Sequence, residues 1–221
     1  MVKLTHSAGH ALCTPGKQSP DGYKEWQYTN EIVKLVMAEL EQYEGVQQKR
    51  IDDPTGKTDF PLTVRSNMVN SFVPDLHIDY HLNAAGNGDW YSAEGIETFV
   101  YKLSDKPSVV IGEKIQNGLV SSLGFRNRGL KEGNLHMLRE ADKAKAKILI
   151  EFAFMTNKDE AMKMRTTEYQ NRAAKVIVDA IAAQYNLKKK VIPVAGFTDK
   201  VTVPNTVFWQ ATAVVQEYQK R

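Results

Sequence analysis

Residues 148–154 constrain the fold more than any other segment, because six of the seven are hydrophobic and the seventh is Glu151. Apolar runs of this kind are typical of strands that are buried on both faces, as in parallel sheets covered by helices. An ionised carboxylate buried there without a partner would cost on the order of several kcal/mol. Two explanations stay open: Glu151 forms an ion pair with Arg128 or Arg139, or it faces a cleft and acts as a general base.

Strands and helices alternate along the rest of the chain. Apolar residues at spacings of three and four predict a helix over residues 25–44 that ends at Gly45. Residues 75–82 alternate between apolar and polar side chains, which predicts a strand with one polar face. β-Branched and aromatic residues predict another strand over 96–101, and helical spacing after it predicts a helix that stops near Gly124.

A further helix is predicted after the apolar run. Asn157, followed three residues later by Glu160, is typical of a capping box, and the apolar spacing beyond it predicts one helix that continues to Tyr185. The whole pattern predicts an α/β fold: a single domain over residues 1–187, with a mostly parallel twisted sheet flanked by helices.

The C-terminal segment, residues 188–221, differs from this domain. Its Val-Pro pieces around Pro193 and Pro204 are typical of a linker, and the spacing of apolar residues over 206–221 predicts a short amphipathic helix. That helix either docks on the main domain or begins a second domain.

Charge and composition exclude several classes of protein. The formal net charge is +3, and the residues from Asn186 onward hold six basic and two acidic side chains, against 23 basic and 24 acidic before them. No basic patch with interleaved aromatic residues stands out, so we expect no binding to nucleic acid.

The chain has no run of about 18 apolar residues that would span a membrane, and residues 1–10 lack the blocks of a secretory signal. The single cysteine, Cys13, cannot form an internal disulfide and is interpreted as a loop residue.

Three side chains are candidate metal ligands: His10, Glu25 and His81. Two imidazoles and one carboxylate are ligands of the kind that a catalytic zinc site uses, and both histidines follow or end a predicted strand. In an α/β sheet such sites lie at the carboxyl ends of the strands. The spacing alone does not decide the matter, because scattered histidines are more often surface residues or hydrogen-bonded core residues.

Taken together, the motifs resemble those of a known enzyme family. Four pieces occur in the family's order: Ser7-Ala8-Gly9-His10, Glu25 at the start of the first helix, the strand that ends in His81-Leu82-Asn83-Ala84, and the strand that contains Glu151. In this order they resemble the zinc-dependent N-acetylmuramoyl-L-alanine amidases of the third amidase family, which occur in bacterial autolysins and phage endolysins. The resemblance covers residues 2–185.

The resemblance implies a site and a reaction. It implies that Zn²⁺ is bound by His10, Glu25 and His81, and that Glu151 is the catalytic base. The reaction would be hydrolysis, by zinc-activated water, of the amide between the lactyl group of N-acetylmuramic acid and L-alanine in peptidoglycan, which lyses the cell wall.

The resemblance also implies a substrate groove and suggests which residues line it. The segment from Asn127-Arg128-Gly129 to Arg139 resembles the one that borders the groove, so Arg128 and Arg139 are candidates for binding peptide carboxylates, unless they form ordinary surface ion pairs. Asn83, beside the third ligand, is a further candidate for substrate binding. Trp90 and Tyr91 follow His81, and they either pack on substrate or are partly buried.

Ala11 and His77 depart from the family's pattern. The family often has a second glycine after the first histidine, where Ala11 stands here. His77 is a rival histidine on the strand of His81, although it is expected to lie too deep, and Asp79 is a candidate partner for a ligand histidine.

The same residue pattern is compatible with other functions. A zinc carboxypeptidase or aminoacylase of related fold would use the same ligand types, and an inactive peptidoglycan-binding module would keep the fold without turnover. Residues 188–221 would supply a linker and the start of a cell-wall-binding domain, with basic side chains for anionic cell-wall polymers. We expect a monomer, held in the cytoplasm until lysis if it is a phage endolysin, or secreted if it is an autolysin whose signal has been removed.

Overall fold

A six-stranded sheet lies at the centre of the domain, within residues 1–191, which the computed structural model describes. Its strands are β1 (Val2–Ala8), β2 (Val46–Arg50), β3 (Leu76–Asn83), β4 (Ile96–Val100), β5 (Asn127–Glu132) and β6 (Ala146–Phe154). The strand order is β2-β1-β3-β6-β4-β5, and every neighbouring pair is parallel except β4 and β6, which are antiparallel. The predicted α/β fold with a mostly parallel sheet is confirmed.

Helices cover both faces of the sheet. They are α1 (Glu25–Leu40), α2 (Leu62–Phe72), α3 (Lys106–Leu123), α4 (His136–Glu140), α5 (Lys158–Met164) and α6 (Thr167–Tyr185). The helices α1, α3 and α6 pack on one face and form the main core with Ile78, Tyr80 and Phe152 of the sheet. The helices α2 and α4 form a smaller apolar cluster around Val69 and Met137.

The side chains of His77 and Asp79 on β3 form a polar row on one face of the sheet. Leu76, Ile78 and Tyr80 face the main core, while His77 and Asp79 point to the other side, as the alternation predicts. The polar side is nevertheless buried, because α2 covers it. Its polar groups must therefore find partners inside the protein.

Two helix boundaries differ from the predictions. The first helix ends at Leu40, and Gly45 instead occupies the turn into β2 with φ of +67°. The helix predicted from Asn157 to Tyr185 is two helices, because the Thr166 side chain accepts a hydrogen bond from the backbone N–H of Tyr169 and starts α6 anew. The prediction of one continuous helix was wrong.

The predicted capping box is half present. Asn157 caps α5 by accepting hydrogen bonds from the N–H groups of Asp159 and Glu160. The Glu160 carboxylate does not return to the cap but accepts from the N–H groups of Gly95 and Phe154, each at 2.8 Å. It thereby ties the start of β4 to the end of β6 at the edge of the sheet where both histidine candidates lie.

Residues 188–190 pair with the segment that follows α1. The N–H of Glu44 donates to the carbonyl of Lys188 at 2.8 Å, and the N–H of Lys190 donates to the carbonyl of Gln42 at 2.7 Å. The predicted linker around Pro193 and Pro204 and the helix predicted over 206–221 lie outside the described residues. Among residues 1–191, no helix is long and apolar enough to cross a membrane.

Buried His6 on β1 makes the stability of the domain depend on pH. Its Nδ1 lies 2.9 Å from the Tyr80 hydroxyl, and burial, reinforced by the nearby charges of His77 and Arg50, lowers the pKa of His6 to about 3. Because the pKa in the unfolded chain is about 6.5, protons favour unfolding below that pH. The contribution of neutral His6 is complete above pH 6.5 and is lost as the pH falls toward 3.

We expect urea unfolding curves to show this loss as about 1.4 kcal/mol per pH unit below pH 6.5. The slope should be shallower in a His6→Gln variant, which cannot take up the proton. Identical slopes for both proteins between pH 6.5 and 4 would show that another group controls the acid sensitivity.

Candidate active site

Three of the predicted site residues meet at the carboxyl edge of the sheet. His10 follows β1, Glu25 opens α1, and His81 lies near the end of β3. The Glu25 carboxylate approaches Nδ1 of His81 at 2.9 Å and Nε2 of His10 at 3.4 Å, and one ligand atom of each residue lies within 4.8 Å of the others. Two imidazole nitrogens and a carboxylate at this spacing form a group that could hold a metal ion.

Glu25 is held as an anion at the start of its helix. Burial favours the protonated form, but hydrogen bonding and charge from His81, the charge of His10 and the N–H of Leu82 outweigh it and lower the pKa of Glu25. The first turn of a helix also favours a negative charge.

The two imidazoles respond to this anion differently. Burial lowers the pKa of His10 to about 4, although the charge of Glu25 opposes the change. Burial also acts to lower the pKa of His81, but the hydrogen bond to Glu25 and its charge raise that pKa to about 9. The group is therefore stabilised by one positive charge next to Glu25. A metal cation would supply that charge, as a proton does.

Arg65 on α2 fixes the turn that carries His10. His10 has φ of +61°, a conformation that is strained for any residue other than glycine. The buried guanidinium of Arg65 donates to the carbonyls of Ala8 and His10 at 2.9 and 3.0 Å, and to the Ser7 hydroxyl at 2.9 Å. These bonds hold the turn in place. Sequence reasoning missed Arg65, since nothing local distinguishes it from a surface arginine.

The turn after β1 accommodates Ala11 at the position where the family often has a second glycine. Ala11 is buried, its φ is not positive, and its N–H donates to the hydroxyl of Thr14 at 2.9 Å. A second glycine is therefore not required after His10.

Glu151 lies beside the ligand group on β6. In the strand register, it is the partner of His81 on β3 and of Glu97 on β4. Its Oε2 is buried, and within residues 1–191 this atom has no hydrogen-bond partner. Burial raises the pKa of Glu151 to about 8; the charge of His81 opposes this, while the charges of Glu25 and Glu97 add to it.

An ion pair does not explain the position of Glu151. Arg128 donates to Glu97 at 2.8 Å, and Arg139 donates to Glu140 at 2.6 Å. The first of the two explanations is therefore wrong for both arginines. Within residues 1–191, the Glu151 carboxylate lies in the sheet next to the ligand group without a cation partner.

The two candidate substrate-binding residues, Asn83 and Arg128, meet at Glu97. The Asn83 amide donates to one carboxylate oxygen of Glu97, and Arg128 and Lys131 donate to the other. Lys131 and Glu97 were missed as site residues. Glu97 had a detectable signal, because it is a carboxylate within a predicted strand, as Glu151 is.

The rival histidine and its neighbour lie deeper in the sheet. His77 is fully buried and lies 3.0 Å from the hydroxyl of Thr5 and 3.1 Å from the carboxylate of Asp79. His77 is not part of the ligand group, as expected. Asp79 contacts His77 rather than a ligand histidine, so its expected role beside the metal ligands is not supported.

The aromatic residues of the β3–β4 loop are partly exposed. Trp90 is 36% exposed and Tyr91 is 40% exposed. The ring of Tyr91 lies against Gly86, and its hydroxyl donates to Asn87 at 2.8 Å. Both side chains therefore remain accessible at the edge of the sheet that carries the ligand group.

Comparisons with known proteins point to one enzyme family. A family model described as N-acetylmuramoyl-L-alanine amidase matches residues 7–183. The chain is 28% identical over 208 residues to the N-acetylmuramoyl-L-alanine amidase CwlM of Bacillus licheniformis, which covers 90% of this chain and 77% of that protein. It is 30% identical over 188 residues to the endolysin of Bacillus phage SPP1, covering 83% of this chain and 66% of that protein.

A solved structure has the same fold. The crystal structure of an N-acetylmuramoyl-L-alanine amidase from Clostridium difficile 630 matches with a TM-score of 0.76 at 28% identity, covering 84% of this chain and 97% of that one. The family match spans the strands and turns that carry His10, Glu25, His81 and Glu151. The chain therefore belongs to the N-acetylmuramoyl-L-alanine amidases, the enzymes that hydrolyse the bond between N-acetylmuramic acid and L-alanine in peptidoglycan.

Proposed function

We propose that the amide hydrolysis uses a zinc ion bound by His10, Glu25 and His81, with Glu151 as the general base. The observation that carries the proposal is the meeting of two imidazoles and a buried carboxylate within 4.8 Å, beside Glu151, whose buried Oε2 has no hydrogen-bond partner within residues 1–191. Imidazole nitrogens favour zinc over magnesium or calcium, which prefer oxygen ligands.

The number of ligands favours a catalytic site over a structural one. Structural zinc sites use four protein ligands, whereas catalytic sites use three. In the part of the chain that the structure describes, the ligand group has three members, and none is a cysteine. When bound, zinc supplies a Lewis acid that polarises the scissile carbonyl and makes water more acidic.

We infer that Glu151 moves the proton. Its Oε2, which has no hydrogen-bond partner within the described residues, can accept a proton from the attacking water and return it to the leaving nitrogen of L-alanine, so that the carboxylate is restored after each turnover. A divalent cation at the ligand group would lower the pKa of Glu151 from its raised value, because the positive charge favours the ionised form. The base would then be ionised near neutral pH.

The substrate contacts and partners follow from the same site. We infer that Arg128 and Asn83 line the path of the peptide stem, since both surround Glu97 next to Glu151. The place of action is the cell wall, whether the protein is released at lysis or secreted.

Binding of anionic cell-wall polymers through the basic C-terminal residues is a separate proposal. Three of those residues, Lys188 to Lys190, belong to the segment that pairs with residues 42–44, and Lys189 is engaged with Glu39 at 2.8 Å. Any polymer contact made by these lysines would therefore occur on the domain itself.

The proposal is tested by measuring zinc content together with the release of L-alanine amino termini from purified peptidoglycan. We expect one zinc per chain and new L-alanine termini. Release of a C-terminal residue instead would favour the carboxypeptidase alternative. Wall binding without any release in the presence of zinc would favour the inactive binding module.

Gly9 provides a test of how tightly the ligands are packed. A methyl group on Gly9 would lie 2.6 Å from Nδ1 of His81 and 3.0 Å from the Glu25 carboxylate. Contacts this short force the imidazole to move. We expect Gly9→Ala to weaken zinc binding by about tenfold to a hundredfold, measured by competition with a chromogenic chelator.

Gly118→Ala is the matched control for Gly9→Ala. Its added methyl would lie 2.7 Å from the Val176 side chain, an equally short contact between α3 and α6. This variant should lower thermal stability without changing zinc affinity. Equal zinc affinity for Gly9→Ala and the parent protein would contradict the proposed geometry of the ligand group.

A further inference from the structure

We propose that Arg128, held in place by Glu97, binds a carboxylate of the peptide stem, so that the enzyme prefers stems with a free carboxylate next to L-alanine over amidated stems. This inference rests on the proposed function and specifies the substrate class of the same site. It concerns four residues that we call the Glu97 cluster: Asn83, Glu97, Arg128 and Lys131.

The Glu97 cluster carries excess positive charge. Glu97 is only 4% exposed, and its carboxylate accepts hydrogen bonds from Arg128, Lys131 and the amide of Asn83. Two cations around one buried carboxylate leave a net charge of +1. The side chains of Arg128 and Lys131 are 31% and 39% exposed, so this charge is available to a ligand.

Arg128 is fixed on two sides and open on a third. Its Nε donates to Glu97 at 2.8 Å, and its guanidinium carbon lies 4.9 Å from the centre of the Phe154 ring. Its Nη1 makes a long contact of 3.4 Å with the carbonyl of Glu94, while Nη2 has no hydrogen-bond partner among residues 1–191. A planar guanidinium that is already oriented binds a carboxylate with little further loss of side-chain entropy.

The distance from Glu151 matches a position early in the peptide stem. Glu97 is the strand partner of Glu151, and Arg128 lies on β5, the next strand of the sheet. β5 is the second strand from β6, so the backbone of Arg128 is about two strand spacings of about 4.8 Å from Glu151, while its guanidinium, bonded to Glu97 on β4, is about one spacing away. An extended peptide advances about 3.3 Å per residue, so the group that reaches Arg128 belongs to the residue after L-alanine or the one beyond.

The chemistry of peptidoglycan supplies such a group. The residue after L-alanine is a glutamate that continues the chain through its γ-carboxyl group, so its α-carboxyl group is either free or amidated. Only the free carboxylate carries a charge that would complement Arg128. Glu97 acts as a positioning residue in this arrangement, while Lys131 offsets the charge of Glu97 and keeps the local potential positive.

The experiment uses two synthetic muramoyl peptides that differ only at this position, one with the free α-carboxylate and one with the carboxamide. The zinc-loaded full chain is assayed for release of L-alanine amino termini from each. We expect kcat/KM to be about tenfold to a hundredfold higher for the carboxylate, mainly through a lower KM. Arg128→Gln should abolish this preference, so that kcat/KM for the carboxylate peptide falls to the value for the carboxamide peptide.

Arg139→Gln is the matched control, because Arg139 pairs with Glu140 and Asn134, outside the Glu97 cluster. It should keep the full preference. If Arg128→Gln does not fold, Arg128→Lys keeps the charge but loses the planar fork and should show a reduced preference.

The outcomes separate the two proposals. Equal kcat/KM for the two peptides in the unaltered enzyme overturns this inference and leaves the proposed function intact. A preference that survives in folded Arg128→Gln overturns the assignment to Arg128. Cleavage of neither peptide by the zinc-loaded enzyme overturns the proposed function and this inference with it.

Discussion

Replacing Glu151 with glutamine is expected to lower kcat for amide hydrolysis by about 10²–10⁴-fold, the range that general base catalysis contributes. Glutamine keeps the shape of the side chain and removes its basicity. Because Glu151 is not a member of the His10–Glu25–His81 group, the variant should still bind one zinc ion. The assay follows release of L-alanine amino termini from peptidoglycan at fixed zinc occupancy.

The same substitution should leave stability unchanged. Oε2 of Glu151 is buried without a hydrogen-bond partner among residues 1–191, so no hydrogen bond from this atom is lost in the variant. Burial penalises the ionised form of Glu151, and the neutral amide removes this penalty, which offsets the cost of burying its N–H groups. We therefore expect a thermal midpoint at or above that of the parent protein.

Glu160→Gln is the contrasting control. The Glu160 carboxylate accepts from the N–H groups of Gly95 and Phe154, and an amide can accept only one of these bonds. Stability should fall by about 1–3 kcal/mol while kcat is retained. If Glu151→Gln hydrolysed the amide at the parent rate, the assignment of the base would be wrong.

Candidate site residues could be singled out from the sequence where the signal lies within one segment. His81 follows from the alternation of β3, and Glu151 follows from a carboxylate in an apolar run. Glu97 shares the second signal, since it interrupts β4 in the same way. These signals are local because burial on a strand is set by its own side-chain period.

Other residues could not be found in this way, because their roles come from contacts between distant segments. Arg65 bonds to Ser7, which lies 58 residues earlier in the chain, and Lys131 bonds to Glu97, which lies 34 residues earlier. No local pattern separates a buried arginine of α2 from a solvent-exposed one. The break between α5 and α6 was missed for a different reason. The Thr166 cap that starts α6 is a local signal, but the helical spacing of apolar residues continues past it and predicted a single helix.

The residue that most directly tests the metal ligands is His10, because its backbone conformation permits an informative substitution. With φ of +61°, this position favours glycine, so His10→Gly removes the imidazole and also relieves backbone strain. We expect the variant to fold without zinc at least as stably as the parent protein. Zinc affinity should fall by more than about a hundredfold, the upper end of what loss of an outer-shell partner costs, and hydrolysis should be lost with it.

His77→Gln is the matched control, since it removes the other histidine that the sequence places on β3. His77 is buried against Thr5 and Asp79, so this variant should lose stability but retain its zinc and its turnover per folded molecule. We therefore expect opposite results from the two variants. His10→Gly should keep its stability and lose the metal, whereas His77→Gln should keep the metal and lose stability. Full zinc content in His10→Gly would contradict the assignment of His10 as a ligand. Loss of zinc from folded His77→Gln would instead indicate that the metal lies near His77 in the buried polar row, which is closed to water and to a peptide stem.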